Sequence, residues 1–260
     1  MFTVAEGRTV RFSRGNLQYR ASTGTWRFAE HQYDYVGADN QNISSTYTGW
    51  IDLFGWGTSG WNSGAVAYQP WATSTTYSDY YPGGSYTNSL TGACANADWA
   101  VNNAISNGGN QAGMWRTITK DEWSYLLFSR NASSVSGTEN ARYAKCKVGS
   151  VQGLMVFPDS FSKPAGLADI VNINTSDAAF DGNSYTTEQW SQLEASGAVF
   201  LPAAGLRYVT GVSNAGTYGY YWSSTCDDVH YAWYMSFYSG NVLTNYGSRG
   251  FGFSVCPVRD

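Results

Sequence analysis

Short apolar or aromatic runs open the chain, at Val10–Phe12, Leu17–Tyr19 and Trp26–Phe28, divided by Gly15-Asn16 and Thr23-Gly24. Runs this brief, punctuated by turn-forming residues, predict strands joined by tight turns. From Gly49 to Gly64 the chain reads Gly-Trp-Ile-Asp-Leu-Phe-Gly-Trp-Gly-Thr-Ser-Gly-Trp-Asn-Ser-Gly. Glycines at this density let the backbone turn sharply while tryptophans fold back over it. Residues 65–92 are rich in Tyr, Ser, Thr and Gly, and their aromatic content predicts an ordered loop rather than a solvated linker.

The period then becomes helical in three places. Ala97–Ser106 follows Asn96 as N-cap and ends at Asn107-Gly108-Gly109. Lys120–Arg130 has Thr119 and Glu122 as a capping box, with Trp123, Leu126 and Leu127 on one face. Glu188–Ser196 follows Thr187 and stops at Gly197, a natural residue for leaving a helix. Further strands are predicted at Val199–Leu201, Tyr218–Ser224, Ala232–Phe237 and Ser254–Val258. No composition break or Pro-rich linker interrupts the chain, so residues 1–260 are expected to form a single α+β domain with long insertions.

Composition sharpens this picture. Only 13% of residues are charged, while 17% are aromatic, with 20 Tyr and 11 Trp. Such rings serve either β-rich packing or a binding surface. The net charge is −4 with scattered Lys and Arg, so no basic stripe exists to follow a phosphate backbone, and nucleic acid is not expected as a partner. No apolar run approaches the roughly 18 residues of a membrane span. The opening Met-Phe-Thr-Val-Ala-Glu lacks the regions of a signal peptide. Either the chain is shortened or it is exported by another route, as a virion component would be. Cys94, Cys146, Cys226 and Cys256 lie far apart, which is no metal knuckle, and leaves disulfide pairing open. His31 and His230 are the only histidines, which argues against histidine-based zinc chemistry. No metal or cofactor is expected.

Rings concentrate near the C terminus: Tyr231, Tyr234, Tyr238, Tyr246, Phe251 and Phe253, interleaved with Gly, Ser and Asn. Tyrosine gives large contact area for few rotatable bonds, as in known paratopes. The alternative is that alternate rings line the core face of a sheet. Asp227, Asp228 and His230 beside them suit polar contacts better than acid–base chemistry.

Two segments carry a family likeness. Met114-Trp115-Arg116-Thr117-Ile118-Thr119-Lys120-Asp121-Glu122-Trp123 resembles the W-R-L-P-T-x-x-E-W helix entry of the formylglycine-generating-enzyme branch of C-type-lectin-like folds. The frame from Gly219-Tyr220-Tyr221-Trp222-Ser223-Ser224-Thr225 through Ala232-Trp233 to Arg249-Gly250-Phe251-Gly252-Phe253-Ser254-Val255-Cys256-Pro257-Val258-Arg259 is similar to the closing region of bacterial and phage members, among them the variable proteins of diversity-generating retroelements. Phe12-Ser13-Arg14-Gly15-Asn16-Leu17-Gln18-Tyr19 and the Trp50–Gly60 run resemble the same group.

The resemblance implies a C-type-lectin-like fold with two main helices, small antiparallel sheets and extensive loops. It also implies a non-enzymatic protein facing outward from a bacterial surface or virion, with residues 218–259 as a variable-type region for a protein or glycan ligand. In such proteins adenine-directed mutagenesis turns Asn codons into Tyr, Asp, Ser, His, Phe, Val, Leu, Cys or Gly. The residues so implied are Cys226, Asp227, Asp228, Val229, His230, Tyr231, Tyr234, Ser236, Tyr238, Asn245, Tyr246, Ser248 and Phe251, on a scaffold of Ala232, Phe237, Gly240, Arg249, Gly252 and Val255; Trp233, Val242, Thr244 and Phe253 are expected to join them as ligand-binding residues. Cys256 departs from the pattern, which usually has Arg there, and is either a diversified position or a local disulfide partner.

Competing chemistry fares worse. Oxidases of this branch hold copper with two cysteines a few residues apart, whereas Cys226 and Cys256 stand thirty positions apart. Asp177, Asp181, Gly182 and Glu188 match places 1, 5, 6 and 12 of an EF-hand loop, but Ala179 and Ser184 break its pattern and no helix precedes it. The sugar-binding signatures Glu-Pro-Asn, Gln-Pro-Asp and Trp-Asn-Asp are absent, as are G-x-S-x-G and P-loop motifs. The remaining alternatives are a structural or fimbrial-type surface protein with a packed C-terminal tract, and a degenerate relative of the oxidases.

Overall fold

Neighbouring apolar runs pair where the turn signals between them allow. In the computed structural model, which describes residues 1–260, β1 (Phe2–Ala5) pairs with β2 (Arg8–Phe12), and β3 (Leu17–Arg20) with β4 (Thr25–Phe28). The hairpin of β5 (Tyr143–Val148) and β6 (Val151–Val156) is flanked by β7 (Ser184–Tyr185) and β8 (Val199–Pro202) in the order β7-β5-β6-β8. After β9 (Leu206–Tyr208) and β10 (Gly211–Ser213) comes the meander β11 (Gly219–Cys226), β12 (Tyr231–Tyr238) and β13 (Asn241–Ser248). β14 (Phe251–Gly252) returns to β9, and β15 (Val258–Arg259) pairs with β2, joining the two ends of the chain in one sheet. All pairings are antiparallel except β5 with β7. The architecture is a mixed α+β fold of several small sheets with few helices.

The three helices are shorter than the sequence predicts. α1 (Trp99–Asn102) is capped by Asp98, whose side chain accepts from the Ala100 amide, and not by Asn96. It ends where the Asn103 side-chain Nδ2 donates to the carbonyls of Trp99 and Ser59. α2 (Lys120–Ser124) forms the expected capping box between Thr119 and Glu122. It then widens into a π-turn over Tyr125–Ser129, where the Arg130 Nε bonds the Leu126 carbonyl at 2.7 Å. α3 (Thr187–Ala195) starts one residue early, because Thr186 rather than Thr187 makes a capping box with Gln189. No helix is long and apolar enough to cross a membrane.

Three apolar clusters fill the spaces between these elements. Phe2, Val10, Trp123 and Leu126 meet Tyr221, Met235 and Phe237 from one face of the meander. Trp56, Trp99, Trp222 and Phe253 form a second cluster under the Gly49–Gly64 segment and the other face. Trp190 on α3 packs with Phe200 and Met155 in a third. The second is braced internally by reciprocal indole bonds. Trp222 Nε1 donates to the Phe54 carbonyl at 2.7 Å, and Trp56 Nε1 donates to the Ser223 carbonyl at 2.9 Å. Trp123 Nε1 reaches the Trp222 carbonyl from the other side.

Two buried carboxylates brace the loops. Asp98 accepts from the Thr117 amide and hydroxyl, and Asp52 accepts from the Val36 amide and the Asn40 side chain. Burial outweighs these bonds and pushes both carboxyls up to about 6 from 3.8. The folded chain therefore holds protons that the unfolded chain has released. This contribution to stability is fully present below pH 3.8 and is lost as pH rises through 6. Replacing Asp98 with Asn is expected to flatten the change in urea-unfolding free energy across that window relative to the wild-type chain. An unchanged slope would show that Asp98 does not titrate there.

Candidate functional site

Strand alternation decides which of the C-terminal rings reach solvent. In β12, Tyr231, Trp233, Met235 and Phe237 share one face, and Ala232, Tyr234, Ser236 and Tyr238 the other. The register places Trp233 opposite Tyr246, Met235 opposite Thr244 and Phe237 opposite Val242, so the first face continues through Thr244, Tyr246 and Ser248. Its inner half, Met235, Phe237 and Val242, is buried under α2 and its π-turn. Its outer half is not. Tyr246 is 49% exposed, and Tyr231, Trp233, Thr244 and Ser248 are partly exposed.

On this outer half the rings form an unbroken row. Tyr231 lies 5.4 Å from Tyr246, and Trp233 meets Tyr246 edge-on at 5.5 Å. Lys120 Nζ, from the first turn of α2, sits 4.8 Å from the Trp233 ring centre. At the other end His230 lies 5.6 Å from Tyr231 and 4.1 Å from Tyr77, edge-on. The row therefore runs from the 65–92 loop, across the β11–β12 turn, to α2.

The turn itself is held by main-chain contacts. Asp228 Oδ1 accepts from the His230 and Tyr231 amides, closing an Asx-type turn that leaves Asp227, Asp228 and Val229 exposed. The Tyr81 hydroxyl donates to the Val229 carbonyl at 2.6 Å. Arg249 Nη2 donates to the carbonyls of Asp228 at 2.9 Å and Tyr86 at 2.6 Å. Arg249 is fully buried, with its guanidinium 4.6 Å from the Trp56 ring centre and 5.1 Å from that of Tyr81. Its Nε and Nη1 make no hydrogen bond, and burial holds its pKa below the usual arginine value. The two ring faces offset part of that desolvation.

The opposite face is a packing surface. Tyr234 stacks edge-on against Phe253 at 4.8 Å and lies over Gly247, where a Cβ would stand 2.9 Å from its ring. Burial pushes the Tyr234 hydroxyl up to about 12. Tyr218 stacks on Tyr220 and Tyr238, while Phe251 meets Tyr208. Asn245 is partly exposed on this face, opposite Tyr234.

Several sequence expectations are corrected here. Ser236, Val242 and Phe253 are buried at 5%, 3% and 1% exposure and cannot line a surface. Ser236 lies on the central strand, Val242 on the edge strand is buried in the first cluster beside Phe237, and Phe253 stacks against Trp222 and Tyr220. Tyr234, Tyr238, Asn245 and Phe251 lie apart from the outer row. Cys226 is partly exposed, accepting from Ser89 Oγ at 3.3 Å and donating to the Thr87 carbonyl. All four cysteines are free. Cys256 is neither a surface position nor a disulfide partner: it is buried beside Ser13 Oγ, and burial pushes its thiol up to about 12. Asp181, one of the acidic residues matched to an EF-hand, pairs with Lys147 at 2.6 Å. Tyr77, Tyr81, Tyr86 and Lys120 belong to the site but escaped the sequence reading. The tyrosine richness of residues 65–92 was the only signal for three of them.

Residues 179–258 match a family model described as a domain of unknown function (DUF8237). The match takes in the whole meander and β14. No curated protein and no solved structure matches the chain.

The Arg249 anchor predicts a local effect. Arg249→Met removes both charged hydrogen bonds, each worth about 1.5–3 kcal/mol. Amide exchange at His230 and Tyr231 should accelerate by about tenfold or more, while exchange at Met235 and Phe237 stays within the global rate.

Proposed function

We propose that this chain is a non-enzymatic binding protein that presents the outer end of its C-terminal sheet to a protein or glycan on another surface. The observation that carries this reading is the exposed row from Tyr77 through His230, Tyr231 and Tyr246 to Trp233 and Lys120. Contiguous partly exposed rings backed by a rigid sheet supply contact area at low entropic cost, which is what a recognition surface needs.

The variable-protein reading draws support from the division between buried and accessible positions. Ala232, Phe237, Arg249, Gly252 and Val255, which the resemblance assigns to the scaffold, are buried, while Gly240 sits at an exposed turn. Asp227, Asp228, Val229, His230, Tyr231, Tyr246 and Ser248, all reachable from an Asn codon, are at least partly accessible. A C-type-lectin-like fold of the formylglycine-generating-enzyme branch is supported by the pairing of β2 with β15 and by the capping-box helix leaning on the meander. The implied setting is a bacterial surface or virion, facing outward.

Two measurements test this. Sequencing of the encoding locus should find a near-repeat of the 218–259 segment beside a reverse transcriptase, differing at adenines. Absence of that repeat removes the retroelement assignment and leaves the binding role to stand on the surface alone. Tyr231→Ser and Tyr246→Ser should each change unfolding free energy by no more than about 0.5 kcal/mol, as surface substitutions do. Losses of several kcal/mol would instead mark these rings as structural packing.

A further inference from the structure

The largest cavity lies away from the C-terminal sheet, in the N-terminal half of the chain. It measures 610 Å³ and opens between β3, β4 and the segment from Tyr33 to Trp50, within the roughly 300–1,000 Å³ typical of small-ligand sites. The geometry points to a carbohydrate site here, for a neutral or amino-bearing oligosaccharide, independent of the sheet surface proposed above.

The first ground is a set of polar groups that no protein atom engages and that stay open to the cavity. Gln18 lines the cavity at only 4% exposure; its Oε1 accepts from Arg27 Nε at 2.9 Å, and its amide nitrogen donates to no protein atom. The hydroxyls of Tyr33, Tyr35 and Tyr47 and the indole N–H of Trp50, all in the lining, are likewise without protein partners. The Gln18 side chain is held in place by Arg27 while its nitrogen stays open to the cavity, a fixed donor that a ligand hydroxyl can meet. Because Gln18 nitrogen and the Trp50 indole can only donate, an ammonium ligand could not satisfy them. A sugar hydroxyl both donates and accepts, and so matches donor-only, acceptor-only and hydroxyl groups together.

The second ground is the division of ring faces. Trp50 is covered, with the Arg27 guanidinium 3.9 Å and that of Arg20 4.2 Å from its ring centre. Tyr33 is stacked on His31 at 5.0 Å, so Tyr35 and Tyr47 must supply the stacking surface. Tyr35 lies along Gly37, and the Tyr47 hydroxyl lies over Gly49, where a Cβ would stand only 2.3 Å from it.

Charge narrows the ligand further. Glu30, Asp34 and Asp39 line the cavity against a single lining cation, Arg27. Arg27 pairs with Glu30 at 3.2 Å and Asp34 faces His31, while Asp39 has no ion-pair partner. A net negative lining repels sialic and uronic acids and accepts neutral or amino sugars. The wall that carries Asp39 is also fixed in advance. Asn40 Oδ1 accepts from the Asp52 and Leu53 amides, and its nitrogen donates to Asp52 and to the Gly37 carbonyl. Such pre-organisation lowers the ordering cost of binding.

Titration calorimetry of the full chain with triacetylchitotriose, the corresponding glucosamine trimer and maltotriose tests the site, with sialyllactose as the acidic control. At least one of the first three should bind and sialyllactose should not. Asp39→Ala, at an exposed position, and Gly49→Ala, which displaces the Tyr47 ring, should each weaken binding by about tenfold or more, with urea midpoints near wild type. Tyr246→Ala on the C-terminal sheet should leave it unchanged. Failure of all three sugars to bind, retention of affinity in both cavity variants, or loss of binding in Tyr246→Ala would each overturn the proposal.

Discussion

Everything near the C terminus depends on two tryptophans that exchange hydrogen bonds. Trp222 on β11 gives its indole N–H to the Phe54 carbonyl, and Trp56 gives its own to the Ser223 carbonyl. Both rings are essentially without solvent contact. The pair fastens the glycine-rich stretch after Gly49 to the first strand of the meander, across more than half the chain. Each bond satisfies a buried donor that would otherwise cost free energy. Because the two bonds run in opposite directions, the segments are fixed against sliding as well as separation. The flanking bridges of Phe54 with Phe253 and Tyr221 with Ser254 follow from that alignment.

From this clamp the meander acquires two unlike faces. One is covered by α2 over its inner half and carries the exposed ring row on its outer half. The other leans on the tryptophan cluster, so Tyr234 spends its ring on Phe253 and Trp222 rather than on a partner. Density of tyrosine in a sequence is therefore an incomplete measure of binding surface. Half of these rings hold the platform on which the other half stand.

Signals local in sequence survived into the structure, and those requiring a partner strand did not. The Thr119–Glu122 capping box needs only three residues of separation, and α2 begins where it predicts. The α3 start slipped by one because Thr186 and Thr187 are equally good caps until Gln189 chooses between them. β13, Asn-Val-Leu-Thr-Asn-Tyr-Gly-Ser, has little strand signal of its own and is extended because β12 pairs with it throughout. Placing Val242 and Ser236 on a surface failed for a related reason: depth within a sheet depends on register and on what packs above, and a one-residue slip inverts every side chain. The order of the 65–92 loop was legible from its rings, but not its destination, since the Tyr81–Val229 contact spans 148 residues.

Arg249 grips the turn by the backbone oxygen of Asp228, and the neighbouring 65–92 loop by that of Tyr86, never by a side chain. A hold of that kind is indifferent to residue identity. Side chains at 227, 229 and 230 can be exchanged freely without loosening the peptide path that displays them. Robustness of shape and freedom of chemistry thus coexist in one loop, secured by a cation that solvent never reaches.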